Sequence, residues 1–576
     1  PLGRREVAGV VWDGAAAAAA THATAAPRDP AAEAATPGPA LRPVKAVLDA
    51  MPPLSATWRG LIEFAAGYYQ RSIGELALAV LPPELRRIDD TQLARRLKRL
   101  ARLAVGAAED GEPPASDSAI NVDGAPTASS KANDAEGATA LTADQAAALA
   151  ALAEGGTTPA LLHGVTGSGK TEVYLRAAAD ALAAGRQVLV LVPEINLTPQ
   201  LEARFAARFP GRVLASLHSA LTPAQRLRHW LLVHEGRADL VLGTRLAVFA
   251  SLPRLGLIVV DEEHDASFKQ QEGARYSARD LAVWRAHRLR IPVLLGSATP
   301  SLESWQNMRE GRYRRLMLST RVGGATLPRV RVLDMSTLPR TPASELVLAP
   351  ALTEALRERL VRGEQSLVLL NRRGYAPVLH CGACGWKSGC PHCSAWRVFH
   401  KSDRTLRCHH CGLAERVPRA CPDCGNLDIA PIGRGTEKLE EQLTLLLPGA
   451  RIARIDADST RGAGKLVQHL AAAHAGEVDV MVGTQILAKG HDFRRVTLVA
   501  AVNPDSALFS SDFRAPERLF ALLMQAAGRA GRDAEQAERG EMWVQTWYPG
   551  HRLYAALRAH DYEAFAATQL AERESA

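Results

Sequence analysis

The sequence contains no long apolar segment. All of its apolar runs fall well short of the ~20 residues that a membrane-spanning helix needs. The alanine-rich stretch at 15–20 is too short and too weakly apolar to be the core of a secretion signal. We therefore expect a cytoplasmic chain rather than a membrane or secreted protein.

Cysteine is absent from most of the chain, because all eight cysteines lie between Cys381 and Cys424. Cysteines confined to one short segment cannot form the long-range disulfide bonds that stabilise secreted proteins. Methionine is absent from the start: residue 1 is proline and the first methionine is Met51. We expect the native start to be missing.

Bulky apolar residues are scarce in two stretches, at 14–40 and 109–140. Because such segments cannot bury a core, the first is predicted to be a disordered loop and the second a linker. The remainder of the 576 residues suffices for three or four domains. The net charge of +8 gives weak support for a polyanionic partner.

One glycine-rich octapeptide organises the chain: Gly164-Val165-Thr166-Gly167-Ser168-Gly169-Lys170-Thr171. It follows an apolar run at 159–162 and precedes a helix-forming segment at 172–184. Glycines let backbone N–H groups surround phosphate oxygens at a helix N-terminus, where the macrodipole favours negative charge. We expect Lys170 to reach the β- and γ-phosphates and Thr171 to hold Mg²⁺. The alternative is a glycine-rich turn that binds nothing.

An acidic pair, Asp261 and Glu262, follows the apolar run at 257–260. We expect Asp261 to bind Mg²⁺ through water and Glu262 to polarise the attacking water, as nucleotide hydrolysis requires. The alternative is that these charges mark where a buried strand meets solvent. The glycine loop favours the catalytic interpretation.

Short β-rich runs alternate with helical stretches beyond residue 141, a pattern that predicts parallel sheets. The runs are 187–192, 239–242, 257–260 and 293–295, and then, after residue 330, 365–370, 451–455, 479–482 and 496–501. We therefore predict two α/β lobes. Polar segments follow several of the runs, at 243–245, 296–299 and 483–485, where open α/β sheets bind ligands.

Two arginines, Arg529 and Arg532, follow the helical segment 519–527. A planar and permanently charged guanidinium suits the charge that builds on a γ-phosphoryl group, and arginine fingers contribute ~10³–10⁵ in rate in other phosphate hydrolases. We predict that both reach the nucleotide. A basic surface helix is the alternative.

The region at 41–87 has an apolar helical pattern with four aromatic residues, Trp58, Phe64, Tyr68 and Tyr69. At that spacing we expect them to pack in a core rather than to form a base-stacking platform. A short basic helix is predicted at 91–104.

The cysteines form four Cys-x-x-Cys pairs: Cys381/Cys384, Cys390/Cys393, Cys408/Cys411 and Cys421/Cys424. Eight thiolates suit two tetrahedral Cys₄ zinc sites. Redox pairs or free thiols are the alternative, and His392, His409 or His410 could replace a ligand. The spacing alone does not decide which pairs share an ion.

Together these segments resemble superfamily 2 helicases and, among them, the family of the replication-restart helicase PriA (primosomal protein N′). The resemblance covers much of 141–549 and rests on GVTGSGKTEVYL at 164–175, VPEINLTPQ at 192–200, DEEHDASFKQQEGARYSARD at 261–280, NRRGY at 371–375, the four cysteine pairs, GTQILAKGHDF at 483–493 and QAAGRAGR at 525–532. It implies two RecA-like parallel-sheet lobes that use ATP and Mg²⁺, and a Cys-rich insertion that holds two Zn²⁺ ions.

The resemblance implies roles for further residues. Gln145 would sense the adenine, and Phe268 would belong to an aromatic-rich loop that couples DNA to hydrolysis. Thr198, Thr244 and Thr484 would follow the phosphates of a DNA strand. The implied cysteine pairing is nested, with Cys381, Cys384, Cys421 and Cys424 on one zinc and Cys390, Cys393, Cys408 and Cys411 on the other.

The resemblance also divides the chain into domains. They are an incomplete N-terminal 3′-end DNA-binding domain at 1–88 with an Ala-rich insertion at 14–40, a winged-helix remnant or linker at 89–140, lobe 1 at 141–330, lobe 2 at 331–379 and 430–555, the two-zinc insertion at 380–429, and the start of a C-terminal region at 556–576.

The implied activity is ATP-dependent 3′-to-5′ DNA unwinding at stalled or recombined replication forks, followed by primosome assembly and reloading of the replicative helicase. The implied partners are DNA, primosome proteins, the replicative helicase and single-strand-binding protein, and a monomer is expected. Two alternatives remain: a duplex translocase that does not separate strands, and a zinc-dependent fork scaffold with a dispensable ATPase.

Overall fold

The structure, a computed structural model, describes residues 9–10, 12, 46–109, 140–193, 198–324, 326–338, 348–370, 379–381, 383–392, 397–400, 404–408, 411–427, 429–431, 436–456, 459, 465–488, 493–508, 512–532 and 538–575. The predictions for the Ala-rich insertion at 14–40, most of the linker at 109–140 and the segment 371–375 lie outside these residues.

Helices and strands alternate through most of the described chain. The helices are α1 (Ala56–Tyr68), α2 (Ile73–Val80), α3 (Asp90–Glu109), α4 (Ala143–Glu154), α5 (Lys170–Ala183), α6 (Thr198–Arg208), α7 (Pro223–His234), α8 (Ala278–Leu289), α9 (Leu302–Arg309), α10 (Pro350–Val361), α11 (Thr436–Leu446), α12 (Lys465–Ala475), α13 (Gln485–Ala488), α14 (Asp505–Leu508), α15 (Ala515–Ala527), α16 (Arg552–Ala559) and α17 (Tyr562–Glu574).

The strands are β1 (Ala160–Gly164), β2 (Gln187–Leu191), β3 (Leu214–Leu217), β4 (Leu240–Gly243), β5 (Leu255–Asp261), β6 (Val293–Ser297), β7 (Arg314–Leu318), β8 (Arg329–Asp334), β9 (Gln365–Leu370), β10 (Leu379–Cys381), β11 (Val398–His400), β12 (Thr405–Arg407), β13 (Ala414–Arg416), β14 (Ile429–Pro431), β15 (Ile452–Ile455), β16 (Val480–Gly483), β17 (Val496–Val502) and β18 (Glu541–Thr546). All eight predicted runs are strands, whereas β3, β7, β8 and β18 were not predicted.

The first sheet has the strand order β3-β4-β2-β5-β6-β1-β7. The pairings from β3 through β6 are parallel. Every residue of β2 is buried, as expected for a parallel strand covered on both faces. The predicted parallel α/β architecture is confirmed for this sheet.

The second sheet has the order β15-β16-β9-β17-β18-β8, and all its pairings are parallel. Its core contains Leu356 of α10 and Leu443 of α11 packed with Val368, Val482 and Ala500 of the strands. The second predicted α/β sheet is therefore confirmed.

In each sheet, the strand next to the first edge strand ends in a glycine. Gly243 ends β4 beside β3, and Gly483 ends β16 beside β15. A Cβ atom on Gly243 would lie 2.9 Å from the carbonyl oxygen of Leu217, and one on Gly483 would lie 2.3 Å from that of Ile455. Only glycine allows this approach. The two sheets thus place a Gly-Thr turn at matching positions.

The Cys-rich segment begins and ends in two short strands that pair with each other in an antiparallel ladder. Strand β10 pairs with β14, with Leu379 opposite Pro431 and Cys381 opposite Ile429. Strands β11, β12 and β13 form a separate antiparallel meander between them.

The N-terminal aromatic residues divide into buried and exposed ones. Trp58 is 2% exposed and its indole nitrogen donates to the Phe249 carbonyl over 2.7 Å, so core packing is confirmed there. The same prediction is wrong for Tyr68, which is 68% exposed. Its ring lies at the end of a stack, beside Phe64, which stacks on Trp284 at a centroid distance of 4.2 Å.

The basic helix α3 extends from Asp90 to Glu109, and is therefore longer than the predicted 91–104. Arg95, Arg96, Lys98 and Arg99 are exposed, while Leu93 and Leu100 are buried against Trp230 and Leu231 of α7. None of the described helices is long and apolar enough to cross a membrane.

The chain forms two compact units that interleave along the sequence. The first comprises Pro1–Leu162, Lys170–Ser297 and Glu310–Leu316, and the second comprises His163–Gly169, Ala298–Arg309 and Met317–Ala576. The predicted domain boundaries, including the one at residue 330, stay predictions.

Candidate active site

The glycine loop joins β1 to α5, as predicted, and Lys170 and Thr171 are the first two residues of the helix. Gly167 and Gly169 have φ angles of +87° and +79°, values that L-residues with side chains rarely adopt. The loop therefore reaches the helix N-terminus in a conformation that glycine makes accessible. This is the backbone arrangement that binds phosphate.

Several close contacts fix the shape of the loop. Ser168 N–H donates to the Val165 carbonyl over 3.0 Å, and a Cβ on Gly164 would lie 2.6 Å from Ser168 Oγ. Within the second unit, a Cβ on Gly528 would lie 2.5 Å from Thr166 Cβ, so the segment before Arg529 lies directly against the loop. Thr166, Gly167 and Ser168 thus have little room for larger neighbours.

The first carboxylate of the predicted pair, Asp261, ends strand β5 of the first sheet. The hydroxyl of Tyr174, one turn along α5 from Lys170, donates to Asp261 Oδ1 over 2.9 Å. Burial and, to a smaller extent, the charge of Glu262 raise the pKa of Asp261, Lys170 and the Tyr174 hydrogen bond lower it, and the net pKa is about 6. Nearby positive charge favours the ionised form of Asp261, which suits a Mg²⁺ ligand.

Tyr174 was missed by the sequence analysis. It is 1% exposed, and burial followed by the charge of Asp261 raises its pKa well above the ordinary value, so it remains a neutral donor. The spacing of Tyr174 was a usable sequence signal, because residues four apart on a helix lie on the same face and Tyr174 is four residues after Lys170.

Gly296 makes room for that tyrosine. A Cβ atom on residue 296 would lie 1.7 Å from the Tyr174 hydroxyl oxygen. The polar segment predicted at 296–299 therefore begins with a glycine that packing requires.

The second carboxylate, Glu262, has a φ angle of +48°, which is strained for a residue with a side chain. His264 accompanies it, with Nδ1 3.5 Å from Glu262 Oε2 and 2.8 Å from Ser297 Oγ. The ends of β5 and β6 are thus joined by a histidine–serine hydrogen bond. Glu263, in contrast, is buried and lies 3.3 Å from Arg279.

Gln145, the expected adenine sensor, lies in the first turn of α4 and is 3% exposed. Its Oε1 accepts from the Thr142 N–H over 3.0 Å, while Thr142 Oγ1 accepts from the Gln145 N–H. This capping box fixes the glutamine side chain at the helix N-terminus.

The two predicted arginines differ in their surroundings. Arg529 is 7% exposed and its Nε donates to the Ala488 carbonyl over 2.9 Å, so part of its role is structural. Arg532 is more accessible, and its Nε donates to the Gly528 carbonyl over 2.9 Å. Arg532 is the better candidate for a group that acts on the γ-phosphate.

Arg321 also lies beside the loop, and the sequence analysis did not include it. A Cβ on Gly167 would lie 3.7 Å from Arg321 Cγ, and the Val322 N–H donates to the Gly167 carbonyl over 3.0 Å. The guanidinium Nη1 donates to the Thr326 carbonyl over 3.1 Å. No nearby motif signals this residue, because the contact depends on the tertiary fold.

The residues with implied DNA roles are placed as follows. Phe268 is buried at 2% exposure, Thr244 follows β4 and Thr484 follows β16. Thr198 begins α6, and its side chain lies outside the described residues.

The described cysteines form two groups with metal-ligand spacing. Cys381, Cys384, Cys421 and Cys424 form one, and Cys390, Cys408 and Cys411 form the other. The Sγ atoms of Cys381 and Cys424 are 3.6 Å apart, close to the roughly 3.8 Å expected in a tetrahedral ZnS₄ site. The groups agree with the nested pairing; Cys393, His409 and His410 lie outside the described residues.

Comparisons with protein families cover most of the chain. The family described as "DEAD/DEAH box helicase" matches residues 142–308, and the family described as "Helicase conserved C-terminal domain" matches residues 432–534. The "3'DNA-binding domain (3'BD)" matches 1–82, and the "PriA DNA helicase Cys-rich region (CRR) domain" matches 390–416.

Relatives with high identity share one name, replication restart protein PriA. That of Haemophilus influenzae is 50% identical over 415 residues, which cover 72% of this chain and 56% of the relative. That of Bacillus subtilis is 42% identical over 413 residues, covering 72% and 51%. The chain spans about half the length of these curated relatives.

Among solved structures, the Mycobacterium smegmatis helicase Lhr bound to ssDNA and AMP-PNP is similar, at 18% identity and a TM-score of 0.46, covering 74% of this chain and 48% of that one. The assignment depends instead on the sequence relatives and on two PriA domains. They show that this chain belongs to the PriA family of replication restart proteins.

Proposed function

We propose that this chain is an ATP-dependent DNA helicase that unwinds with 3′-to-5′ polarity at stalled or recombined replication forks. The observation that carries the proposal is the combination of the glycine loop, Asp261 and Glu262 in a chain of the PriA family. Its proposed outcome is primosome assembly and reloading of the replicative helicase.

The chemistry assigned to the site is hydrolysis of ATP. Lys170 binds the β- and γ-phosphates, Thr171 and Asp261 hold Mg²⁺, and Glu262 takes a proton from the attacking water. The buried carboxylate of Asp261 and the open glycine backbone fit a magnesium–phosphate complex. When bound, Mg²⁺ would neutralise charge at the phosphates, and the Tyr174 hydroxyl orients the carboxylate of Asp261 that would hold it.

Recognition of the nucleotide is assigned to three further residues. Gln145 binds the adenine, with its side chain fixed by the capping box with Thr142. Arg532 stabilises charge on the γ-phosphoryl group, and Arg529 supports the segment that carries it.

The domain roles follow the predicted boundaries. Residues 1–88 bind DNA 3′ ends, 89–140 are a winged-helix remnant or linker, and 141–330 with 331–379 and 430–555 form the motor around the insertion at 380–429. The insertion binds two Zn²⁺ through its eight cysteines and guides strands. DNA, primosome proteins, the replicative helicase and single-strand-binding protein are the proposed partners, in the bacterial cytoplasm at the nucleoid.

The test compares Lys170→Ala with Lys465→Ala, a matched variant because Lys465 also begins a helix but lies outside the site. Both are assayed for DNA-stimulated ATP hydrolysis, fork binding and strand release from forks with a single 3′ or 5′ tail. We expect Lys170→Ala to lose hydrolysis and strand release but to keep fork binding, and Lys465→Ala to behave as wild type. Normal turnover by Lys170→Ala would refute the proposal.

Strand release, together with an assay of replicative-helicase reloading, separates the alternatives. A duplex translocase would hydrolyse ATP without releasing a strand from any fork. A scaffold with a dispensable ATPase would reload the replicative helicase equally well with Lys170→Ala. The proposed helicase fails both reloading and strand release when Lys170 is replaced.

A further inference from the structure

Arg321 is a buried cation with unused hydrogen-bond donors. Its side chain is 7% exposed and, counting partners in the described part of the chain, makes one hydrogen bond, from Nη1 to the Thr326 carbonyl. Among the residues that the structure describes, its Nε and Nη2 atoms are buried without a hydrogen-bond partner. Burying an ionised group in this way is costly unless an opposite charge balances it.

A second cation adds to the cost. Burial, and then the charge of Arg532, lower the pKa of Arg321 to about 10. Both residues belong to the second unit, as does the glycine loop at His163–Gly169. Two arginines whose charges repel each other form a place where an anion is stabilised.

The glycine loop lies directly beside this arginine. A Cβ on Gly167 would lie 3.9 Å from Arg321 Nε, and the neighbouring Val322 N–H holds the Gly167 carbonyl over 3.0 Å. The backbone at Arg321 is therefore held beside the loop, and the hydrogen bond from Nη1 to the Thr326 carbonyl orients the guanidinium. Its free donors match the planar fork that binds phosphate oxygens.

We propose that Arg321 is a further nucleotide-binding residue that contacts the polyphosphate of ATP or ADP at the glycine loop. The inference rests on the proposed function, because it takes the loop to be the phosphate site. The energetic cost of burying Arg321 in the nucleotide-free protein is offset when phosphate oxygens accept from Nε and Nη2.

The test variant is Arg321→Met, which keeps an unbranched stem in place of the aliphatic part of arginine and removes the guanidinium and its charge. Affinities for AMP-PNP, ADP and AMP are measured by calorimetry with Mg²⁺, and melting temperatures are measured without nucleotide in a phosphate-free buffer. We expect binding of AMP-PNP and ADP to weaken roughly ten- to a hundredfold, as for loss of a charged hydrogen bond, with little change for AMP. The nucleotide-free protein should melt at the same or a higher temperature.

Arg285→Met is the matched control. Arg285 is also a buried arginine, at 5% exposure, but it donates to the Val248 and Ala250 carbonyls over 2.7 and 2.9 Å. This variant should melt at a lower temperature and bind nucleotides with unchanged affinity. If Arg321→Met behaves like Arg285→Met, Arg321 is structural and the inference is wrong.

Two further variants make the result unambiguous. Should Arg321→Met fail to fold, Arg321→Gln keeps a polar side chain without the charge, and AMP-PNP affinity equal to wild type would overturn the inference. Lys170→Ala is measured in parallel: if it hydrolyses ATP normally, the proposed function fails. If Lys170→Ala is inactive while Arg321→Met binds like wild type, the inference alone fails.

Discussion

The hydroxyl of Tyr174 donates to Asp261 Oδ1 over 2.9 Å, so a residue of the helix after the glycine loop holds a carboxylate at the end of β5. The same helix begins with Lys170. The helix that carries Lys170 and the proposed metal ligand Asp261, both in the first unit, are therefore joined by one side chain.

Replacing Tyr174 by Phe should weaken the response to Mg²⁺. Without the phenol, Asp261 loses the hydrogen bond that orients it, so the Mg²⁺ concentration for half-maximal ATPase should rise about three- to tenfold. The control is Tyr554→Phe, since Tyr554 also donates to a buried carboxylate, that of Asp505, over 3.0 Å. An equal Mg²⁺ response in both variants would contradict the role of Tyr174.

Gly296→Ala should destabilise the protein, because its methyl group would overlap the Tyr174 hydroxyl oxygen. Overpacking of this kind costs about 1–3 kcal/mol, which urea unfolding can measure. The double variant with Tyr174→Phe should lose less than the sum of the two single losses, because the hydroxyl is absent. Gly60→Ala is the control, because a Cβ there meets nothing within 4 Å.

Asp261→Asn should gain stability over the wild type as the pH rises. Burial raises the Asp261 pKa from 3.8 to about 6, so between these values the folded chain holds a proton that the unfolded chain has lost. Ionising Asp261 then destabilises the wild type, whereas asparagine carries no such cost. The difference in melting temperature, measured in EDTA without nucleotide, should grow between about pH 4 and about pH 7.

Asp334→Asn is the control for that measurement. Hydrogen bonds from Ser336 lower the pKa of Asp334, so above about pH 5 the residue is ionised in both states. Its difference from wild type should stay constant there. A constant difference for Asp261→Asn as well would show that Asp261 is not a destabilising charge.

The cysteine groups predict how zinc is lost. Cys384→Ser and Cys408→Ser should each lower the zinc content from about two ions per chain to about one, because they lie in different groups. Combining Cys384→Ser with Cys421→Ser should remove no more zinc than Cys384→Ser alone. Combining Cys384→Ser with Cys408→Ser should remove both ions. The nested pairing would be refuted if metal analysis showed both ions lost from Cys384→Ser/Cys421→Ser and only one lost from Cys384→Ser/Cys408→Ser.

Zinc loss should also separate strand handling from hydrolysis. Structural zinc contributes about 10–16 kcal/mol of apparent binding free energy in small finger peptides, so Cys408→Ser should unfold the insertion locally. The second sheet has its own core and should persist. Fork unwinding should be abolished while DNA-stimulated ATPase continues; normal unwinding by a zinc-depleted chain would contradict this role.

Most interior strands could be predicted from the sequence, with β18 as the exception, whereas of the four edge strands only β15 could. Strands β2 and β9 are apolar runs because they lie inside parallel sheets and are buried on both faces. Strands β7 and β8 are the last in their sheet orders, and arginines interrupt their apolar pattern. Only the strand partners reveal that these segments are β-structure.

The site followed the same division. The loop and Asp261 could be predicted because short motifs carry them, and local backbone geometry then confirmed strand, loop and helix. Tyr174 and Arg321 could not, because their roles depend on which atoms the fold brings beside them. The exposure of Tyr68 was mispredicted since helical periodicity does not show where a helix ends at the surface.

The β10–β14 ladder gives the Cys-rich segment a narrow base, because its two ends are neighbouring strands roughly 4.8 Å apart. Any segment that connects β10 to β14 must begin and end at this same distance, whatever the length of the segment. Recombination or engineering can therefore replace the segment between β10 and β14 without changing the distance between the two points where it joins the rest of the chain. A chimaera with the corresponding segment of another relative, joined at Leu379 and Pro431, would retain the motor and acquire the strand-handling properties of the donor.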